Sequence, residues 1–306
     1  MGHGHGHGHE ATDGSASRRP LVIALAITSS IFVVEVVGAV ISGSLALLAD
    51  AGHMLTDVAG LTMAVVAATL ARRATTPERT WGYLRAEVLG AAAQAALLLG
   101  VGVFVIIEGV RRLFEPPEVA SGVMVVFGVV GLLGNIASMA VLAKGRSGNF
   151  NTRAAFLEVV NDALGSVAVL VAALVIATTG WLQADAIVSL LIGTLILPRT
   201  WKLLRETVDV LMERTPRGLD LAAVRAELLT IPHVHDLHDL HASTIATNLP
   251  ILTAHVTVDE SCFHDGHAPQ VLDELQHRLA GRFDVEHSTF QLEPASHADH
   301  EIGAHR

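Results

Sequence analysis

LLADAGHMLTDVAG, residues Leu47 to Gly60, and AAFLEVVNDALGS, residues Ala154 to Ser166, decide how this chain is read. Each is an apolar run broken by a polar pair four residues apart, His53 with Asp57 in the first and Glu158 with Asp162 in the second. Residues at i and i+4 share one helix face, so each run aims two nitrogen or oxygen donors the same way. An ionisable side chain at membrane depth costs roughly 2.5 to 3.5 kcal/mol on insertion scales and is normally functional. Four such donors turned toward one another make a metal site.

The surrounding composition places those runs in a membrane. Hydrophobic residues make up 51% of the chain and charged residues 16%, with most of the charge before Leu21 and after Arg199. A bilayer core takes about 20 apolar residues per helix. Six stretches qualify, near Leu21 to Ile41, Leu45 to Ala71, Ala86 to Leu113, Gly122 to Ala143, Ala154 to Thr179 and Ala184 to Leu197. They lack the polar outer faces that a soluble helical core would need. The fold class predicted is a polytopic α-helical membrane protein with six transmembrane helices and a C-terminal α+β domain. Gly128, Gly131, Gly134 and Ser138 in the fourth stretch, with Gly90, Ala91, Gly100 and Gly102 around the third, are small residues that allow close helix approach.

Lysine and arginine set the orientation. With the N-terminus cytoplasmic, the inner segments hold Arg18, Arg19, Arg72, Arg73, Arg79, Arg85, Lys144, Arg146, Arg153, Arg199, Lys202 and Arg205, and the outer loops only Arg111 and Arg112. Both termini are therefore expected inside. No cleavable signal is visible, because the first apolar stretch is long enough to stay in the membrane. Cys262 is the single cysteine, so no disulfide framework is expected. Nothing resembles a basic nucleic-acid patch.

After Pro198, expected to end or kink the sixth helix, LLRETVDVLMERTPRG reads as an amphipathic exit helix closed by a Pro/Gly break. Leu219 to Ile231 has helical spacing with Asp220 as its cap. Ile251 to Val258 alternates, with Leu252, Ala254, Val256 and Val258 on one face and Thr253, His255 and Thr257 on the other. Val285 to Glu293 repeats this, with Phe290 and Leu292 opposite His287, Thr289 and Gln291. Pro269 to Ala280 reads as a helix between them. The order helix, strand, strand, helix, strand makes a small two-layer module.

Of seventeen histidines only His53 falls between Glu10 and Pro232. That bias reads as metal handling. His255 and His287 share the polar faces of two strands expected to be neighbours. Cys262 and His264, with Asp265 and His267, form a short loop cluster that could complete another ion, against a reading as ordinary surface residues. His233 and His235 read as surface decoration. His3, His5, His7 and His9 alternate with glycine, a backbone too flexible for a fixed site and suited to a loose metal-collecting arm. His297, His300 and His305 lie in an end expected to be disordered. Asp50 and Asn161 neighbour the buried pairs and are candidate supporting residues, while for Glu35, Glu108 and Asp185 position does not separate a proton relay from a salt bridge, and the structural reading is favoured.

SGSLALLADAGHMLTDVAGL, followed by GYLRAEVLGA, AAFLEVVNDALGSVAVLVAA, LLRETVDVLMERTP, HDLHASTIATNLPILTAHV and EHSTFQLE, resembles the cation diffusion facilitator family of divalent-metal/proton antiporters. The resemblance runs from about Leu21 to Glu293. It implies a cytoplasmic ferredoxin-like domain, a homodimer, and export of zinc or a related ion, with zinc also a regulatory or structural ion. It places the transport site on helices two and five, at His53, Asp57, Glu158 and Asp162. In the tail it suggests His238 as a partner for His255 and His287, with His241 three residues on. The expected domains are a His-rich arm (1–20), the transport domain (21–213), the ferredoxin-like metal-binding and dimerisation domain (214–293) and a tail (294–306). The expected location is the bacterial inner (plasma) membrane.

One position departs from the family pattern. Where the zinc-transporting branch usually carries His, this chain has Glu158, giving one nitrogen and three carboxylates. Zinc accepts both ligand types, but manganese and other harder ions prefer oxygen-rich sites, so Mn2+ or Fe2+ competes with Zn2+, Cd2+ and Co2+. An intramembrane metallohydrolase would need an open coordination position, a water and a general base, and the chain has no H-E-x-x-H. A non-transporting metal sensor would need the tail histidines without the buried quartet. The expectation is therefore a transporter and not an enzyme.

Overall fold

A computed structural model describes residues 15–71, 73–143 and 150–298, and side chains within helices only in part. Arg72, Lys144, Arg146, the histidines of the opening arm, His300 and His305 lie outside the described residues, as do the side chains of Arg18, Arg19, Arg153, Asp57 and Glu158.

Six long helices come first: α1 (Ser15–Ser42), α2 (Leu45–Ala71), α3 (Ala86–Phe114), α4 (Ser121–Ala143), α5 (Phe150–Thr179) and α6 (Gln183–Leu211). Among the described residues α3, α4, α6 and the Val159–Thr179 part of α5 are long and apolar enough to cross a membrane, and Ala26–Ser42 of α1 is a shorter apolar helix. Exposed Leu, Ile, Val and Phe side chains along these helices, such as Phe104, Leu133, Leu164 and Leu195, are what a lipid-facing surface requires. Pro198 sits inside α6 and does not end it. Proline removes one backbone donor, and in this stretch the Thr200 hydroxyl donates to the Ile196 carbonyl at 3.0 Å.

The chain folds as two compact units, one of Met1–Val65 with Ala93–Leu203 and one of Val66–Ala92 with Leu204–Arg306. In the first, α4 packs along both α1 and α5. Its core gathers Leu45, Ala46, Leu47 and Ala49 of α2 with Val169, Ala172, Ala173 and Ile176 of α5. The alanines among them, Ala46, Ala49, Ala172 and Ala173, let the helices approach closely.

The second unit holds α7 (Leu221–Leu228), β1 (Val234–Ala246), β2 (Leu249–Val258), α8 (Cys262–Asp265), α9 (Ala268–Phe283), β3 (His287–Pro294) and α10 (Ala295–Ala298). The sheet order is β1-β2-β3, with β1 antiparallel and β3 parallel to β2. Asp220 caps α7 as expected, accepting from the Ala222 and Ala223 N–H groups at 2.9 and 3.3 Å. Leu252, Ala254, Val256 and Val258 form the buried face of β2 and pack with Val271, Leu275 and Leu279 of α9 and Val224 and Leu228 of α7. The alternation read from the sequence thus puts both helices on one sheet face, leaving the other for polar side chains. α10 forms where the tail was expected to be without structure.

Candidate metal centres

In the helical unit, α2 carries His53 and α5 carries Asp162, and the two side chains meet with His53 Nε2 3.4 Å from Asp162 Oδ1. Asp162 is 1% exposed and His53 16%. Asp57 and Glu158 lie on the same helices, one turn along from these two. Their side chains are outside the described residues, so the geometry tests half of the expected quartet.

One turn from His53, Asp50 is buried, and its Oδ2 accepts from the Ser166 hydroxyl at 3.3 Å. Asn135 Nδ2 of α4 donates to the same Ser166 oxygen at 3.3 Å. Asp50 therefore joins the polar cluster, whereas Asn161 faces outward and does not. Glu35 of α1, where the salt-bridge reading was favoured, is 0% exposed, and among the described residues neither of its carboxyl oxygens has a hydrogen-bond partner. Its space comes from Gly131, where an added Cβ would collide with Glu35 Oε1 and lie 3.5 Å from Ser166 Oγ. A Cβ at Gly165 would likewise collide with Asp50 Oδ1. Of the glycines read as packing residues, Gly131 thus does more than bring helices together: it makes room for a carboxyl group.

Asp185 and Glu108 are structural, as their sequence reading favoured. Asp185 of α6 accepts from Ser44 Oγ at 2.5 Å and from the Leu45 and Ala46 N–H groups at 2.8 and 3.1 Å, capping α2. Arg112 lies 3.8 Å from Asp185, donates to the Gly43 carbonyl at 2.7 Å and pairs with Glu108 at 3.0 Å.

In the second unit the polar sheet face brings His238, His255 and Glu293 together, close enough for one atom of each to hold a single ion. His238 Nε2 is 2.8 Å from Glu293 Oε1, His255 Nδ1 is 4.0 Å from Glu293 Oε2, and the two imidazole rings meet edge to face with centroids 5.2 Å apart. Glu293 and His238 are 2% and 7% exposed. A buried carboxylate between imidazoles is costly unless protons or a cation balance it.

The strand pairing explains which histidines join. His238 pairs with His255 and His241 with Thr253, an irregular register with a bulge at Asp239, whose φ is +46. Three residues apart on a regular strand, His238 and His241 would face opposite ways; the extra residue restores one face. His241 Nε2 lies 3.8 Å from Asp239 Oδ1, with Asp239 Oδ2 in turn 4.0 Å from His255 Nδ1. His241 is thus at the exposed rim of this face.

His287 does not join the cluster. In the parallel register it pairs with Ile251, while Thr257 pairs with Glu293 and His255 with Gln291. His287 stands instead at the far end of β3, its ring edge-on to Trp81 with centroids 4.8 Å apart. Glu293 takes the third place. Its parity matched His287 and Gln291, but the register that brings it beside His255 is a long-range property. His297 of α10 also approaches, 3.8 Å from Glu293 Oε2. Cys262 is buried, and burial with the charges of Asp265 and Asp259 pushes its thiol above the usual range. That disfavours the thiolate a metal needs. His264 is exposed in α8.

A family model described as the cation efflux transmembrane domain matches residues 21–212, and one described as the cation efflux protein cytoplasmic domain matches residues 216–295. This chain belongs to the cation efflux family. Among its relatives, the metal cation efflux system protein CzcD of Cupriavidus metallidurans is 42% identical over 285 residues, covering 92% of this chain and 89% of the relative. The zinc transporter ZitB of Escherichia coli is 39% identical over 295 residues, with 94% and 93% covered. A Bacillus subtilis cadmium, cobalt and zinc/H(+)-K(+) antiporter is 31% identical over 284 residues, with 92% and 91% covered. Membership in the cation efflux family makes the chain an integral membrane transporter of metal cations and not an enzyme.

Proposed function

We propose that the chain exports Zn2+, with Cd2+ and Co2+ as secondary cargo, from the cytoplasm in exchange for protons, through a site formed by His53, Asp57, Glu158 and Asp162. The observation that carries this is the approach of His53 and Asp162 from different helices within a buried cluster of carboxylates. The relatives' names, which specify zinc, cadmium and cobalt, favour the same ions. The third carboxylate, Glu158, keeps Mn2+ or Fe2+ as the second reading.

Proton exchange follows from the ligand chemistry. Imidazole binds a metal only when neutral and carboxylates only when ionised, so loading the ion releases protons and protons returning from the other side displace it. Histidine is suited to this near neutral pH. Access alternates by rocking of α2 and α5 around the fixed ligands. All six long helices cross the bacterial plasma membrane, both termini are cytoplasmic, and the tail is a ferredoxin-like module that joins two copies into a homodimer, a role favoured by the dimerisation-type domain it matches. His238, His255 and Glu293 bind a regulatory ion in that module.

Replacing Asp162 or Asp57 by Ala in proteoliposomes is expected to abolish metal-driven proton flux, and undiminished flux would refute the quartet. Uptake of Zn2+, Mn2+, Co2+ and Fe2+ into everted vesicles, with Glu158→His beside the parent, separates the two cargo readings. Zinc preference that rises in the variant identifies Glu158 as the residue that broadens selectivity.

A further inference from the structure

Asp50 and Ser166 continue the polar face that holds His53 and Asp162. On α2, Asp50 stands three residues before His53, and on α5, Ser166 stands four residues after Asp162. Such steps keep one helix face, so the Asp50–Ser166 contact lies one turn from the His53–Asp162 contact. That level is toward the turn between α1 and α2, on the side away from Asp57 and Glu158.

Four helices each bring one oxygen-bearing side chain to this level: Glu35 from α1, Asp50 from α2, Asn135 from α4 and Ser166 from α5. All four are buried. The Ser166 hydroxyl is their hub, donating to Asp50 Oδ2 at 3.3 Å and accepting from Asn135 Nδ2 at 3.3 Å. Glu35 arrives through the notch at Gly131, where an added Cβ would collide with Glu35 Oε1 and stand 3.5 Å from Ser166 Oγ. Glu35 Oε1 and Ser166 Oγ therefore border one methyl-sized point. Among charged neighbours, Asp50 acts on Glu35 most strongly, ahead of Asp162.

The junction is rich in acceptors and short of donors. Among the described residues, Glu35 Oε1, Glu35 Oε2 and Asn135 Oδ1 are buried with no hydrogen-bond partner. The one hydrogen of the Ser166 hydroxyl is already given to Asp50. Two carboxyl groups and an amide oxygen buried in this way are costly unless protons or a cation answer them. Asn135 matters here because it is not acidic: its unanswered oxygen adds a neutral ligand to the two carboxyl groups.

We propose that Glu35, Asp50, Asn135 and Ser166 form a second cation site in the helical unit, one turn from the quartet, that holds one divalent cation by oxygen alone. Two carboxylates match its charge, and the amide and hydroxyl oxygens are neutral ligands. Divalent cations in oxygen sites keep part of their water shell, so the four groups surround the ion without all touching it. With no nitrogen or sulfur, the site favours Mn2+ or Mg2+ and holds a zinc-type ion less firmly than a site with imidazole. Binding here does not depend on the quartet. Only its role rests on the proposed function: an exported ion leaving His53 and Asp162 toward the α1–α2 turn meets this weaker site next.

The test follows Mn2+ by electron paramagnetic resonance on full-length protein in detergent, in an Asp162→Ala, His255→Ala background that breaks the proposed quartet and the tail cluster. About one Mn2+ per chain is expected to stay bound without imidazole nitrogen coupling in its spin-echo modulation. Residual binding at either broken site would still carry the nitrogen of His53 or His238. Mg2+ is expected to compete for this ion. Glu35→Gln and, independently, Asp50→Asn, both close in shape to the parent residue, are expected to weaken it at least about tenfold while the chain elutes and unfolds as the background does. Absence of bound Mn2+ in the background, which a proton shared by the carboxyl groups would give, overturns the proposal. So does Mn2+ coupled to imidazole nitrogen, or an affinity unchanged in both variants. Proton flux in proteoliposomes tests the quartet by itself, so the two readings fail separately.

Discussion

Two polar clusters lie within the helical unit, and they settle the same electrostatic problem in opposite ways. Around Asp185, every element answers another: the carboxylate accepts from Ser44, Leu45 and Ala46, and Arg112 reaches Asp185, Glu108 and the Gly43 carbonyl. Around His53 the balance is different. Asp50 and Asp162 gather within a few side chains of each other, and Glu35 is buried with both oxygens lacking a hydrogen-bond partner among the described residues. A cluster whose charges are satisfied internally holds helices in place. On the proposed function, the carboxylates of the second cluster are balanced by the transported cation.

That contrast can be broken most directly at Asp185. Asp185→Ala leaves two buried N–H groups and the Ser44 hydroxyl without their acceptor and is expected to cost about 3–5 kcal/mol, as removal of a buried charged acceptor does. Thermal unfolding of the detergent-purified protein checks this, and a stability change under 1 kcal/mol would undo the structural assignment. Gly131→Ala ranks next. Its new methyl group would drive into the Glu35 carboxyl, and overpacking of this kind costs about 1–3 kcal/mol, read by the same unfolding measurement with Gly100→Ala, which meets nothing within 4 Å, as the control.

Glu35→Gln sharpens the comparison from the other side. No donor is lost, because among the described residues none is engaged, so stability is expected to change by less than about 1 kcal/mol in either direction. A loss as large as that at Asp185 would show that Glu35 is a structural anchor after all. The smallest effect is expected at Cys262. Its burial and raised thiol range predict alkylation by iodoacetamide at least tenfold slower in the folded protein than in denaturant, and Cys262→Ala should leave Zn2+ binding unchanged. Rapid labelling of the folded protein would return Cys262 to the set of metal ligands.

Much of this was legible along the chain, and the reason is range. The α2 limits, the Asp220 cap, the core face of β2 and the helix expected over Pro269 to Ala280 all depend on neighbours within a turn or a few strand residues, and local periodicity records them. Pro198 was expected to end or kink the sixth helix, and of these α6 excludes the first, since it continues through Pro198 to Leu211. His287 marks where the local reading stops. The alternation put it on the correct face of β3, but a face says nothing about position along the neighbouring strand.

By itself, the sequence determined that two apolar helices each carry a polar pair at helical spacing, that small residues line the helix contacts, and that histidines crowd into the tail. Only the tertiary structure decided which of these groups meet. Asp185 caps a helix 140 residues earlier in the chain, a bulge at Asp239 aligns His238 with His241, parallel pairing brings Glu293 to His255 in place of His287, and Asp259 gathers His233 and His235. Helix and strand periodicity are fixed by bonded geometry, whereas register and packing are fixed by which distant surfaces fit, and no local pattern contains that choice.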